Sequence, residues 1–134
     1  MLILGTKIVK NFVIRIFFAN FAGKITIKML KFISFGSGSS GNSYYLYTET
    51  DSLLIDVGVG IRTLKKHFHN YGLRFEDVHH ILITHDHADH VKSVGSLSTD
   101  YHLPVYATRK VHAGIERNYC VRKKIVPNHA HIIE

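Results

Sequence analysis

The chain has 134 residues, 46% of them apolar, with 17 Lys plus Arg against 10 Asp plus Glu and a formal net charge of +7. That length suits one domain, and that apolar content supports a packed core and excludes bulk disorder. Its single cysteine, Cys120, excludes an intramolecular disulfide framework, which fits a reducing compartment and makes a cytoplasmic location the expectation.

A basic balance suggests a nucleic-acid or membrane partner, so the position of the charge matters. Residues 1–28 hold Lys7, Lys10, Arg15, Lys24 and Lys28 and no acidic residue. From Met29 onward, 12 basic residues face 10 acidic ones. Most of the excess therefore belongs to a leader. A transmembrane span needs about 20 mostly apolar residues, and Lys10, Asn11, Arg15 and Asn20 interrupt every such window here. Arg15 lies inside the one candidate apolar region of a signal peptide, and Ala19-Asn20-Phe21 lacks the second small residue of a cleavage site. No span, no secretion signal and no stable membrane partner are expected. An amphipathic surface anchor stays open.

The body reads as follows. Leu30 to Phe35 is a short strand, followed by a glycine-serine loop, Gly36 to Asn42. Ser43 to Thr48 is a second strand, Thr50-Asp51 a turn, and Ser52 to Asp56 a third strand. Ile61, Leu64, Phe68 and Tyr71 recur at helical spacing, and Gly72 suits the stop of that helix. Ile81 to Thr84 reads as a buried strand. Val91, Val94, Leu97 and Tyr101 mark one further helix, and Pro104 to Ala107 a short strand. Thr108 is the expected cap of a helix running to about Asn118. A final strand is expected at Ile125-Val126, with another element starting near His131. Three strands followed by alternating helix and strand imply an α/β fold, a mixed sheet with helices covering it.

The chemistry lies in His85-Asp86-His87-Ala88-Asp89-His90, between the buried strand and the next helix. In extended backbone His85 and His87 share a face, with Cα atoms roughly 6.5 Å apart. Two imidazoles at that separation can converge on one ion. Asp89 and His90 fall at the turn into the helix and supply a second ligand pair. Ligand-type side chains at the end of a buried strand would cost desolvation energy without such a role. Two pairs on one loop suit two divalent ions about 3.5–4 Å apart, able to activate water against a phosphoryl or carbonyl centre. Asp86 should alternate away from the two histidines.

The run Thr84 to His90 resembles the H-x-H-x-D-H signature of the metallo-β-lactamase fold. Leu54 to Gly58 resembles the strand-ending aspartate motif of that fold. Ser37 to Ser43, Gly58 to Leu64, and Gly95 through Leu103 to Thr108 resemble its YycJ/WalJ branch. The resemblance covers about residues 29–134. It implies the N-terminal half of an αββα sandwich, with His85 and His87 binding the first metal and Asp89 and His90 the second. Asp56 would hydrogen-bond behind these ligands and orient them. Ser40, Gly41 and Asn42 would form a loop beside the site that meets a phosphate through backbone N–H groups. The implied cofactors are two divalent ions, zinc first and manganese as the alternative. The implied substrate is DNA, cleaved by a phosphodiesterase or exonuclease reaction.

Family members begin a few residues before the first strand, where Met29 stands, so residues 1–28 are expected to lie outside the domain. The family's remaining ligands lie further downstream than Glu134. His129 and His131 come too early and receive no ligand role. The chain is thus expected to be truncated. The alternatives are a non-catalytic fragment with a partial metal site, or a hydrolase of another ester or thioester. An open sheet edge would favour self-association. Arg109, Lys110, Arg117, Arg122, Lys123 and Lys124 form a basic stretch, read as a solvated helix face in preference to a phosphate track. Cys120 is expected to be a small buried hydrophobe.

Overall fold

The computed structural model describes residues 2–4, 7–9, 11–19 and 25–134. The expected cleavage segment at 19–21 lies partly outside them. Near the start, β1 (Leu2–Leu4) and β2 (Lys7–Val9) form a separate antiparallel pair. A seven-stranded sheet then follows chain order: β3 (Asn11–Ala19), β4 (Ile25–Gly36), β5 (Ser43–Tyr47), β6 (Ser52–Val57), β7 (His80–Leu82), β8 (Val105–Ala107) and β9 (Ala130–Ile132). The first four strands pair antiparallel, and β6 to β9 pair parallel. The strand expected from Leu30 starts at Ile25, and its extension pairs with β3. The expected boundary at Met29 thus falls within β4.

Parallel neighbours need crossovers, and helices supply them. α1 (Ile61–Asn70) connects β6 to β7 and buries Leu64 and Phe68. Its end is closed by Gly72, at φ +67°. The Gly72 N–H donates to the His69 carbonyl and the Leu73 N–H to that of Phe68, the paired bonds that a left-handed glycine permits. Phe68 packs on Phe35, Tyr45 and Phe75 with ring centroids 4.8–5.0 Å apart, an aromatic group at the centre of one core. α4 (Arg109–Arg117) connects β8 to β9, and the Thr108 hydroxyl caps it by accepting from the Val111 N–H at 3.2 Å.

Two expectations need correction. The helix marked by Val91 to Tyr101 is two helices, α2 (Ala88–Val91) and α3 (Val94–Tyr101). The break is at Ser93, whose N–H donates to the Val57 carbonyl and whose hydroxyl donates to that of Val59. These bonds tie the turn to the end of β6 and take the Ser93 N–H out of the helical ladder. Ile125-Val126 is not a strand. Pro127, which has no N–H for a ladder, opens a short 3₁₀ turn over Pro127–His129, and pairing resumes at β9.

The sheet is unequal on its two faces. Ile33, Tyr45, Leu54, Ile81 and Val105 are buried in the core. Their strand neighbours Tyr44, Leu46, Leu53, Ile55, Leu82 and Tyr106, on the alternate face, are only half-buried. No helix among the described residues is long and apolar enough to cross a membrane.

Candidate metal centre

The site sits where the antiparallel and parallel parts of the sheet meet. Between β5 and β6, Ser43 pairs with Val57 and Tyr44 with Ile55. Asp56 is therefore an extra residue, a bulge, and it sits at φ +60°. Aspartate tolerates this left-handed conformation better than most side chains, and a bulge re-aims the side chain it carries. The Asp56 carboxylate is buried at 2% exposure and faces the loop after β7.

Its bonds set the chemistry. Oδ1 accepts from the Thr84 N–H at 2.8 Å, and Oδ2 accepts from the Thr84 hydroxyl at 2.6 Å. Oδ2 also lies 2.7 Å from His90 Nδ1. A carboxylate accepts only, so Nδ1 carries the proton and Nε2 of His90 is left with its lone pair. The Thr84 hydroxyl has one proton and gives it to Asp56. At 2.9 Å from His85 Nδ1 it must therefore accept, which protonates Nδ1 and frees Nε2 there too. One buried carboxylate thus selects the same tautomer in two histidines, directly in His90 and through Thr84 in His85.

The His85 and His90 rings lie 4.6 Å apart between centroids. Asp56, His85 and His90 each present a ligand atom, all within 4.8 Å of one another, and could hold a metal ion. Because both Asp56 oxygens already accept bonds, the carboxylate is better suited to orienting the histidines than to binding an ion. Asp89 is adjacent: its Oδ2 is 3.8 Å from His90 Nε2. His87 stands apart, with a side chain 74% exposed and its ring 6.1 Å from that of His85. The structure thus brings His85 and His90 together, with Asp56 behind them and Asp89 beside His90, and leaves His87 at the rim. Asp86, expected to alternate away from both histidines, lies against Gly114 of α4 but keeps Oδ1 3.8 Å from His87 Nε2. The donor set, two imidazoles with unprotonated Nε2 atoms beside a carboxylate, fits a divalent ion of the zinc type, with the Asn42 amide Nδ2 at 3.5 Å from His90 Nε2.

Two glycine-dependent approaches hold the loop in place. A Cβ on Gly58 would collide with the Asp89 carbonyl, so only glycine lets the end of β6 lie against the metal loop. The Asn42 N–H donates to the same Asp89 carbonyl at 2.8 Å, and the Gly58 N–H donates to the Asn42 carbonyl at 2.9 Å. Asn42 Nδ2 adds contacts to Asp89 Oδ2 at 3.2 Å and to the Gly38 carbonyl at 2.9 Å, while Asn42 Oδ1 accepts from the Gly38 N–H at 3.0 Å. The Gly41 N–H donates to the Gly38 carbonyl. The N–H groups of Gly38, Gly41 and Asn42 are thus engaged within the protein. Asn42 acts as a brace for the metal loop, and Ser40 is the exposed member of the expected trio.

Sequence reasoning assigned no role to Thr84, although a hydroxyl directly before the first histidine is the signal that could have found it. Cys120 is half-buried, not buried. It sits in the turn after α4, where its N–H donates to Asn118 Oδ1 at 2.9 Å.

The mixed sheet, its covering helices and the histidine-aspartate loop at a strand end define a metallo-β-lactamase fold. A metallo-β-lactamase of Cronobacter sakazakii (Enterobacter sakazakii) superposes with a TM-score of 0.55 at 19% identity, over 66% of this chain and 35% of that one. Residues 30–117 match the family model described as Anti-Pycsar protein Apyc1, and the chain belongs to that family. The expected likeness to the YycJ/WalJ branch is borne out. Exodeoxyribonuclease YycJ of Bacillus anthracis is 40% identical over 87 residues, covering 65% of this chain and 33% of the relative. Exodeoxyribonuclease WalJ of Streptococcus pneumoniae serotype 2 is 36% identical over 104 residues, covering 78% of this chain and 38% of the relative. The chain thus spans 33–38% of the length of these curated relatives.

Proposed function

We propose that residues 29–134 form the first part of a metal-dependent hydrolase domain that cleaves phosphodiester bonds in DNA. The observation that carries this reading is the Asp56 network, which leaves Nε2 of His85 and of His90 unprotonated, the form that binds metal. His85, His87, Asp89 and His90 would hold two divalent ions, zinc first and manganese as the alternative. Such ions supply an activated water and positive charge for attack at phosphorus. Asp56 and Thr84 hold the two rings and their tautomers, and Asn42 fixes the loop. His87 reaches the ions only by turning in from the rim. The DNA substrate follows the printed names of the relatives, and the single cysteine together with those relatives favours the cytoplasm. The test is degradation of DNA ends by the purified protein with added zinc or manganese. Thioester turnover without nucleolytic activity would overturn the DNA reading.

A second reading is a non-catalytic chain with a partial metal site that self-associates. It is favoured by the half-buried apolar face and by β9, which has no strand beyond it among the described residues. Light scattering on the eluting protein separates the two: a monomer with two tightly bound metals and turnover rules the second reading out.

A further inference from the structure

Beside the metal loop lies an open depression of about 440 Å³, lined by Asp86, His87, Gly114, Arg117, Asn118 and Tyr119. It joins the exposed rim histidine to the C-terminal end of α4. Tyr119 is 89% exposed, the highest value among the exposed large hydrophobic side chains described. Yet the residues on either side of it are held. The Val121 N–H donates to the Asn118 carbonyl, and the Cys120 N–H donates to Asn118 Oδ1. Lys124 Nζ donates to the same Asn118 carbonyl at 2.9 Å and lies 3.4 Å from that of Ile115. An aromatic ring presented bare from a fixed turn is costly to expose and well suited to receive another flat group.

The depression is also tied to the metal loop. Asn118 Nδ2 donates to the Asp86 carbonyl at 2.9 Å. A Cβ on Gly114 would run into the Asp86 carboxylate, so helix and loop meet with no room for a side chain. Arg117 is exposed on the last turn of α4. The rest of the basic stretch divides differently. Lys123 pairs with Asp100 at 2.9 Å, and Lys124 closes the end of α4. Arg109, Lys110 and Arg122 do not line the depression.

We propose that this depression seats the nucleotide next to the scissile phosphate of a single DNA strand, with Tyr119 stacking on its base and Arg117 pairing with its backbone phosphate. The proposal rests on the DNA reading above and names the contacts that reading lacks. Stacking on tyrosine is tolerant of sequence, so this contact favours an exonuclease over a sequence-specific enzyme. Arginine matches a phosphate with two parallel donors.

The test is fluorescence anisotropy of a labelled single-stranded oligonucleotide with the full chain, as wild type, Tyr119→Leu, Tyr119→Phe and Arg117→Ala. Tyr119→Leu should weaken binding by about tenfold while Tyr119→Phe keeps it, since stacking needs the ring and not the hydroxyl. Arg117→Ala should weaken binding and lower the salt slope by about 1. Zinc titration should be unchanged in all three, which separates lost contacts from a damaged fold. Wild-type binding that Tyr119→Leu and Arg117→Ala leave intact overturns this proposal alone. Absence of binding by the wild type overturns it together with the DNA reading.

Discussion

Two ends of the parallel strands carry histidines beside an aspartate, and they differ in one respect that decides their use. At the metal end Asp56 is buried: its Oδ1 accepts from the Thr84 N–H, and its Oδ2 takes the bonds that orient the Thr84 and His90 side chains. At the other end Asp51 has a side chain 66% exposed, with His79 Nδ1 at 3.3 Å and His80 Nδ1 at 3.5 Å. The same residue types are present in both places. At the metal end a single buried carboxylate sets the tautomer of both rings, whereas His79 and His80 each meet a separate acceptor, one of them exposed. Asp51 instead bonds the Ser52 N–H at 2.8 Å, and His80 Nδ1 lies 3.2 Å from the Ser52 carbonyl. Ligand-type residues therefore make a site where a desolvated group constrains them, and make a turn where water can reach them.

Substitutions should widen or erase that contrast. The largest effect is expected for Asp56→Ala, which strands the Thr84 N–H, the Thr84 hydroxyl and the His90 Nδ1–H. The loss should be about 3 kcal/mol in urea unfolding, with zinc affinity down by about 100-fold in calorimetric titration. Gly58→Ala should follow, costing about 2 kcal/mol by forcing the end of β6 off the metal loop, and its zinc affinity should fall as well. Unchanged zinc binding there would break the link between that close approach and the site. Thr84→Val keeps the shape and removes the hydroxyl between Asp56 and His85. It should lower zinc affinity about tenfold with a smaller change in stability.

Asp51→Asn should be the smallest, with no change in zinc affinity. Asp51 has its pKa held below the usual 3.8, chiefly by the Ser52 N–H and then by His79. A depressed carboxylate pKa contributes stability above the unfolded value, and this is lost as pH falls through the folded one. Wild type and Asp51→Asn should therefore converge only below about pH 3.8 in acid unfolding monitored by circular dichroism.

Much of this was legible in the chain. The six residues His85 to His90 announce a metal loop by type and spacing, and Ile61 to Tyr71 announces α1 by period. Asp56 before Val57-Gly58 is expected behind the ligands through family likeness, and its carboxylate bonds His90 and Thr84. What stayed hidden was three-dimensional. The break at Ser93 depends on carbonyls of Val57 and Val59, more than thirty residues away, and no local pattern reports such a partner. The position of His87 is another case. Alternation along an extended strand put it beside His85, but β7 ends at Leu82, and the loop that follows is not extended pleat. His90, five residues on, comes closer because α2 folds it back.

The bulge at Asp56 has a kinetic side. It lies on the last strand of the antiparallel meander, whose pairings are local and close early. The histidines it orients follow β7, which can join β6 only after α1 has carried the chain across the sheet. The candidate metal centre should therefore assemble only once β7 has joined β6, so that metal binding there would report the docking of the parallel half.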